Sequence, residues 1–169
     1  MTLFRWTLIW SLVVFALPLW ASHVPRDPST APTWTVSAEL LRYPLSDKAL
    51  QMLQKALQIS NAGDHNGAVK QLEKTLTKCH GTGAYVYSLL GVEYLKTGQI
   101  PEAVDALEQA VKLLPHDASN HANLGLALVM KGEYHRAEPE LRRALDLDPH
   151  SAVASKLLNA LEISKAVRK

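Results

Sequence analysis

The chain has one cysteine in 169 residues. Cys79 therefore has no internal partner, which excludes a disulfide framework, and no CxxC or Cys/His spacing offers a zinc site. Charge of one sign is equally scarce: 18 basic residues face 16 acidic ones, for a formal net charge of +2. Without a basic stripe the chain is poorly suited to neutralise a phosphate backbone, so nucleic acid is not an expected partner. Catalytic signatures are missing too. There is no HExxH, no glycine-rich phosphate loop and no GxSxG. The histidines mostly fall at helix ends and turns, and His116, Asp117 and His121 straddle a proline turn rather than one helix face. Glu138 and Glu140 read as a solvated face rather than an acid and base pair. The expectation is a protein that is not an enzyme, with no catalytic residues, no metal and no cofactor.

Disorder is excluded in its turn, because hydrophobic residues make up 47% of the sequence and the length suits one domain with a real core. The first 21 residues stand apart. Arg5 is their only charge, and Trp6–Ala21 is an uncharged run of sixteen residues interrupted by Pro18. That run is short for a bilayer span and fits an export signal ending at Ala21, or an uncleaved anchor through residues 6–21. No cysteine follows it, so lipoprotein attachment is not supported. The expected location is outside the cytoplasm: periplasmic, secreted or anchored to a membrane, in a bacterial envelope. Residues 22–45 read as a linker, rich in proline and turn formers from Ser22 to Pro32. The stretch Trp34–Leu41 within it is apolar enough to dock elsewhere on the chain, and Pro44 closes it.

From Ser46 onward the sequence repeats itself. Leu90-Gly91, Tyr94, Gly98, Ala103, Leu107, Ala110 and Pro115 recur 34 residues later as Leu124-Gly125, Leu128, Gly132, Ala137, Leu141, Ala144 and Pro149. A further copy lies 35 residues upstream at Ala56, Ile59, Gly63, Ala68, Leu72 and Thr75, with the extra residue expected in the loop 80–83. Tyr87, Leu90, Gly91 and Tyr94 follow the i, i+3, i+4, i+7 spacing of one helix face. Gly98 is placed to end that helix in the left-handed conformation. Pro101 suits the first turn of the next helix, where N–H groups lack partners. Ala103, Leu107, Ala110 and Val111 make the facing stripe, and small Gly91 and Ala103 let the pair approach closely. Asp117 and Ser151 are suited to cap the helices that follow. The pattern predicts helices over 47–61, 65–79, 84–97, 100–113, 118–131, 134–147 and 151–166. In the last, Ala154, Leu157, Leu158 and Leu161 face inward and cover the array's end. Pro139 should remove one hydrogen bond and bend its helix slightly.

The series of a bulky residue, Leu-Gly, Tyr, Gly, Ala, Leu, Ala and Pro resembles the tetratricopeptide repeat family over residues 46–151 and the helix beyond. The domain is taken as 46–169, with repeats 49–83, 84–117 and 118–151 and a capping helix at 151–166. The first repeat departs from the pattern at Lys55, Thr75 and His80. The resemblance implies an all-α solenoid of helical hairpins, wound right-handedly, whose concave face is formed by each pair's first helix. On those helices a second apolar stripe corresponds to the family's groove positions: Leu50, Leu53 and Leu57; Tyr85, Ser88, Val92 and Leu95; Ser119, Ala122, Leu126 and Val129. The competing explanation is that neighbouring helices simply bury these side chains. Where some relatives carry basic and amide residues that grip a peptide carboxylate, this chain has Leu53, Leu57, Ser119 and Asn123. The expected partner is a protein or peptide client held by apolar contacts and shape, in a scaffold or adaptor role. The alternative is self-assembly, with the apolar faces making a homo-oligomer.

Overall fold

A computed structural model describes residues 45–167. The expected export segment, and the linker apart from Leu45, lie outside the described residues, as does the Trp34–Leu41 stretch. The described residues form seven α-helices: α1 Asp47–Asn61, α2 His65–Lys78, α3 Gly83–Thr97, α4 Ile100–Leu113, α5 Ala118–Lys131, α6 Tyr134–Leu147 and α7 Ala152–Val167. None of them is long and apolar enough to cross a membrane. Four of the seven predicted helices have the observed bounds; α2 and α3 differ by one residue at one end, and α7 is shifted by one residue at both.

Each start and stop has a local cause. Ser46, Asp64 and Asp117 accept hydrogen bonds from Ala49, Gly67 and Asn120 N–H groups, satisfying donors that the first turn leaves over. Gly98 and Gly132 end α3 and α5 at φ of 75° and 84°, where an L side chain would be strained. The Ser151 carbonyl accepts the Ser155 N–H at the start of α7. The extra residue of the first repeat is not spent in a longer loop. Cys79–Thr82 spans as many residues as Leu114–Asp117, and the addition appears as Gly83 at the head of α3. Pro139 sits inside α6, which runs on through it.

Successive helices pack in order, α1 on α2, α2 on α3 and so on to α7, while α3 also touches α5 and α5 also touches α7. This is the all-α hairpin solenoid that the repeat predicts. Leu53, Ala56, Val69, Leu72, Val86 and Leu90 form one core, and Leu45 packs against it. A second core joins α4, α5, α6 and α7 through Leu107, Leu124, Leu128, Leu141, Leu158 and Leu161. Tyr94 packs against both cores. The close approach within each pair rests on glycine facing leucine. A Cβ at Gly91 would lie 2.4 Å from Leu107 Cγ, and one at Gly125 would lie 2.5 Å from Leu141 Cδ2. The space that Gly91 leaves is thus filled by Leu107, not only by the small Ala103.

Candidate functional site

The first-helix stripe separates into two kinds of residue. Leu53 and Ala122 are 7% and 5% exposed and belong to the two cores, so they cannot meet a client without repacking. Both pack within these cores, and the spacing argument did not separate them from their outward neighbours. Leu57, Tyr85, Ser88, Val92, Leu95, Leu126 and Val129 are half-buried, while Ser119 and Leu50 are exposed, Leu50 by 50%. Tyr85 leans on the first core, and Leu95 and Val129 lean on the second. What remains is a broken line of partly open apolar side chains along α1, α3 and α5.

Two clefts lie elsewhere, on the side of the second helices, and share no residue with that stripe. One, of about 550 Å³, sits between α2, α3 and α4 and is lined by Glu73, Leu76, Tyr87, Leu90, Tyr94, Glu102, Asp105, Ala106, Glu108 and Gln109. The other, of about 440 Å³, lies between α4, α5 and α6, and combines Glu108 and Glu140 with Lys112, His135 and Arg136 around Val111, Leu124, Leu128 and Pro139. Arg136 bridges Glu108 and Glu133 across this second cleft.

Polar chemistry collects at two junctions that sequence reasoning did not foresee. Glu93, in the middle of α3, is 5% exposed. Ser60 Oγ donates to its Oε1 at 2.8 Å, Lys96 Nζ donates to the same oxygen at 2.8 Å, and His65 Nδ1 lies 2.9 Å from Oε2. Burial pushes this carboxyl's pKa up, but the hydrogen bonds from Lys96, Ser60 and His65 and the Lys96 charge outweigh it, so Glu93 stays below the ordinary carboxylate value. The ends of α1 and α2 are thereby tied to α3.

His121 is the second junction. It is 6% exposed, with Nδ1 2.7 Å from Glu140 Oε2 on α6 and Nε2 3.0 Å from the Pro115 carbonyl. Both partners can only accept from it, so both ring nitrogens must carry protons for both bonds to form. Burial pushes the imidazole pKa down and Arg143 adds to that, but Glu140 and the Pro115 carbonyl prevail and raise it. Glu140 is therefore not part of a free solvated face, and Glu138 binds Arg142 and Lys165. His116 turns to Arg143, 3.3 Å away, and does not converge with His121. Asn120 Nδ2 is buried without a hydrogen-bond partner. Neither junction presents a nucleophile to an open pocket: the Ser60 hydroxyl is buried and donates to Glu93.

Comparison with known proteins agrees with this fold. Residues 88–152 match the tetratricopeptide repeat family model, which covers the second and third repeats and not the first. The cellulose synthase operon protein C of Escherichia coli strain K12 is 30% identical over 122 residues, 72% of this chain but only 10% of that protein. The chloroplastic tetratricopeptide repeat domain-containing protein PYG7 of Arabidopsis thaliana is 28% identical over 136 residues, 80% of this chain and 40% of its own length. Among solved structures, the first tetratricopeptide domain of Spaghetti (RPAP3), bound to an HSP90 peptide, superimposes with a TM-score of 0.67. That match covers 73% of this chain and 99% of that one at 19% identity, a likeness of fold alone. MamA from Desulfovibrio magneticus RS-1, from residue 41 onward, gives a TM-score of 0.65 at 26% identity, covering 70% of this chain and 66% of that one.

Proposed function

We propose that this tetratricopeptide-type array, from Ser46 onward, is a non-catalytic scaffold that binds a peptide or protein client along the first-helix face. The observation that carries this reading is the run of incompletely covered apolar side chains there: Leu50, Leu57, Tyr85, Val92, Leu95, Leu126 and Val129. Side chains of this kind lose water-exposed area when a client covers them, at roughly 25 cal/mol per Å² of apolar surface. The peptide held by the Spaghetti (RPAP3) domain gives the reading a precedent in a protein of the same fold. Of the positions where basic and amide groups would grip a terminal carboxylate, only Asn123 carries one and Leu53, Leu57 and Ser119 do not, so mainly apolar contact and shape select the client. In the full chain, residues 1–21 direct export, as a cleaved signal or as an anchor, and the scaffold works outside the cytoplasm.

The test is binding of a peptide library to the full chain and to Leu126→Asp, followed by circular dichroism and thermal melting. The expected result is a tenfold or greater loss of affinity in a variant that remains helical. Unchanged binding moves the client site off this face. Intact mass of the natural protein tests the export step, with a mature chain beginning near Ser22 as the expected product.

A second reading is self-assembly. Leu50 on α1 and Val153 and Ile163 on α7, exposed by 50%, 46% and 66%, lie at the two ends of the described array. Sedimentation over a range of concentrations separates the two, because a scaffold for a distinct client stays monomeric and an end-to-end assembly does not.

A further inference from the structure

The two second-helix clefts occupy corresponding places in successive repeats, yet their charges differ. In the α4–α6 cleft the carboxylates of Glu108 and Glu140 are met by Lys112, His135 and Arg136. The α2–α4 cleft contains no lysine or arginine, and its apolar floor, with Tyr87 and Tyr94, is rimmed by Glu73, Glu102 and Asp105. All three are exposed, and Glu102 and Asp105 have no ion pair or hydrogen bond among the described residues. Glu73 accepts only the Tyr94 hydroxyl, at 3.0 Å. We propose that this α2–α4 cleft is a second docking surface, distinct from the first-helix face, for a basic segment of a partner protein that sets lysine or arginine beside an aliphatic side chain.

The argument is one of charge complementarity over an apolar floor. Glu108, at the edge shared with the other cleft, is paired with Arg136, but Glu73, Glu102 and Asp105 have no ion pair among the described residues and leave a negative potential that a low-dielectric wall concentrates. The same field acts on Tyr94, whose hydroxyl pKa is pushed up to about 12 by burial, by the hydrogen bond to Glu73 and by the charges of Glu73 and Glu102. Burial, the largest of these causes, disfavours charge of either sign, and only the Glu73 and Glu102 contributions report the negative field. The faces and edges of Tyr87 and Tyr94 add a surface against which a lysine or arginine stem can lie with its charge over the ring. A leucine-sized side chain fits the 550 Å³ opening beside them. A partner bearing glutamates instead would meet repulsion on three sides.

The probe is a fluorescein-labelled amphipathic peptide of lysine and leucine at helical spacing, with a control in which glutamate replaces every lysine. Fluorescence anisotropy is read on the full chain, on Glu102→Lys/Asp105→Lys, and on Leu126→Asp. Because a lysine near the start of α4 opposes the helix dipole, the neutral Glu102→Gln/Asp105→Asn variant is read as well. The expected result is that the lysine peptide binds and the glutamate peptide does not. Charge reversal then costs tenfold or more, neutralisation costs less, and Leu126→Asp changes nothing. Affinity also falls as salt rises from about 50 mM to about 500 mM, since exposed charges are screened over that range. Four outcomes overturn the proposal: no binding of the lysine peptide, equal binding of both peptides, indifference to charge reversal and neutralisation, or loss through Leu126→Asp alone. Dimerisation of the full chain that the reversal abolishes overturns it in a different way, since the occupant is then a second copy.

Discussion

Both polar junctions join a histidine to a glutamate across helices, and they are built inside out with respect to each other. At the α2–α3 junction the carboxylate is the buried partner: the Glu93 side chain is 6% exposed and that of His65 is 33% exposed. At the α5–α6 junction the imidazole is buried, with the His121 side chain at 8% and that of Glu140 at 28%. The polar partners of each buried member shift it toward its charged form against burial, Lys96, Ser60 and His65 for Glu93, and Glu140 and the Pro115 carbonyl for His121. The difference teaches that a buried ion's effect depends on what its partners can do once it is gone. Ser60, itself buried, loses its acceptor and keeps only the Lys96 amine at 3.3 Å, whereas Glu140 is open enough to recover water.

That asymmetry ranks the substitutions. Glu93→Ala removes the centre of a three-partner network and leaves the buried Ser60 hydroxyl without its acceptor, so the expected destabilisation is about 3 kcal/mol. His121→Ala removes two hydrogen bonds but leaves Glu140 and the exposed Pro115 able to rehydrate, and about 2 kcal/mol is expected. Urea denaturation of both variants at pH 6 measures the order. A larger loss for His121→Ala would break the comparison, because it would mean that the exposed partner does not recover its hydration.

The pH dependence should then run in opposite directions. Glu93 has a folded pKa below the ordinary 4.5. Its contribution is present above that value and is lost as the pH falls through the lowered one. His121 has a folded pKa above the ordinary 6.5. Its contribution is complete below 6.5 and is lost as the pH rises through the raised value. The gap between parent and His121→Ala should therefore close on the alkaline side, and the gap between parent and Glu93→Ala on the acid side. Denaturation midpoints over about pH 3 to about pH 9 check both. If both gaps close on the same side, one of the two buried groups is in the other protonation state.

Much of the architecture was legible because the repeat reports the same structure more than once. The Leu-Gly and Ala-x-x-x-Leu spacings recur where glycine faces leucine in the second and third pairs, and the caps follow from Asp117, Gly98 and Gly132. The two junctions were missed because each depends on one residue that breaks the repeat. Glu93 stands 34 residues before Ala127, and Glu140 stands 34 residues after Ala106; those alanines are 0% and 6% exposed. A carboxylate in a register position that another copy gives to a buried alanine is the signal that could have found both. The stripe was legible only in part. Leu53 and Ala122 lie on the first helices like their neighbours, but a few tens of degrees of rotation decide between core and surface, and periodicity does not resolve that.

The smallest effect belongs to ion pairs that look as extensive as the junctions but lie in water. Glu138 binds Lys165 and, at 3.0 Å, Arg142, which also reaches Glu162 at 3.4 Å, so two charge pairs link α6 to α7 and a third lies within α6. The Arg142 side chain is 55% exposed and that of Glu162 is 53% exposed. Their attraction is diluted by the high dielectric of water and by salt, and it is opposed by the entropy lost in fixing long side chains. Packing of α7 instead rests on Ala154, Leu158 and Leu161, all buried in the second core. Arg142→Ala is therefore expected to leave the urea midpoint where the parent has it at about physiological ionic strength, with any shift appearing only at low salt. A midpoint shift approaching that of His121→Ala would show that the number of charge contacts, rather than burial, decides which polar ties hold the array together.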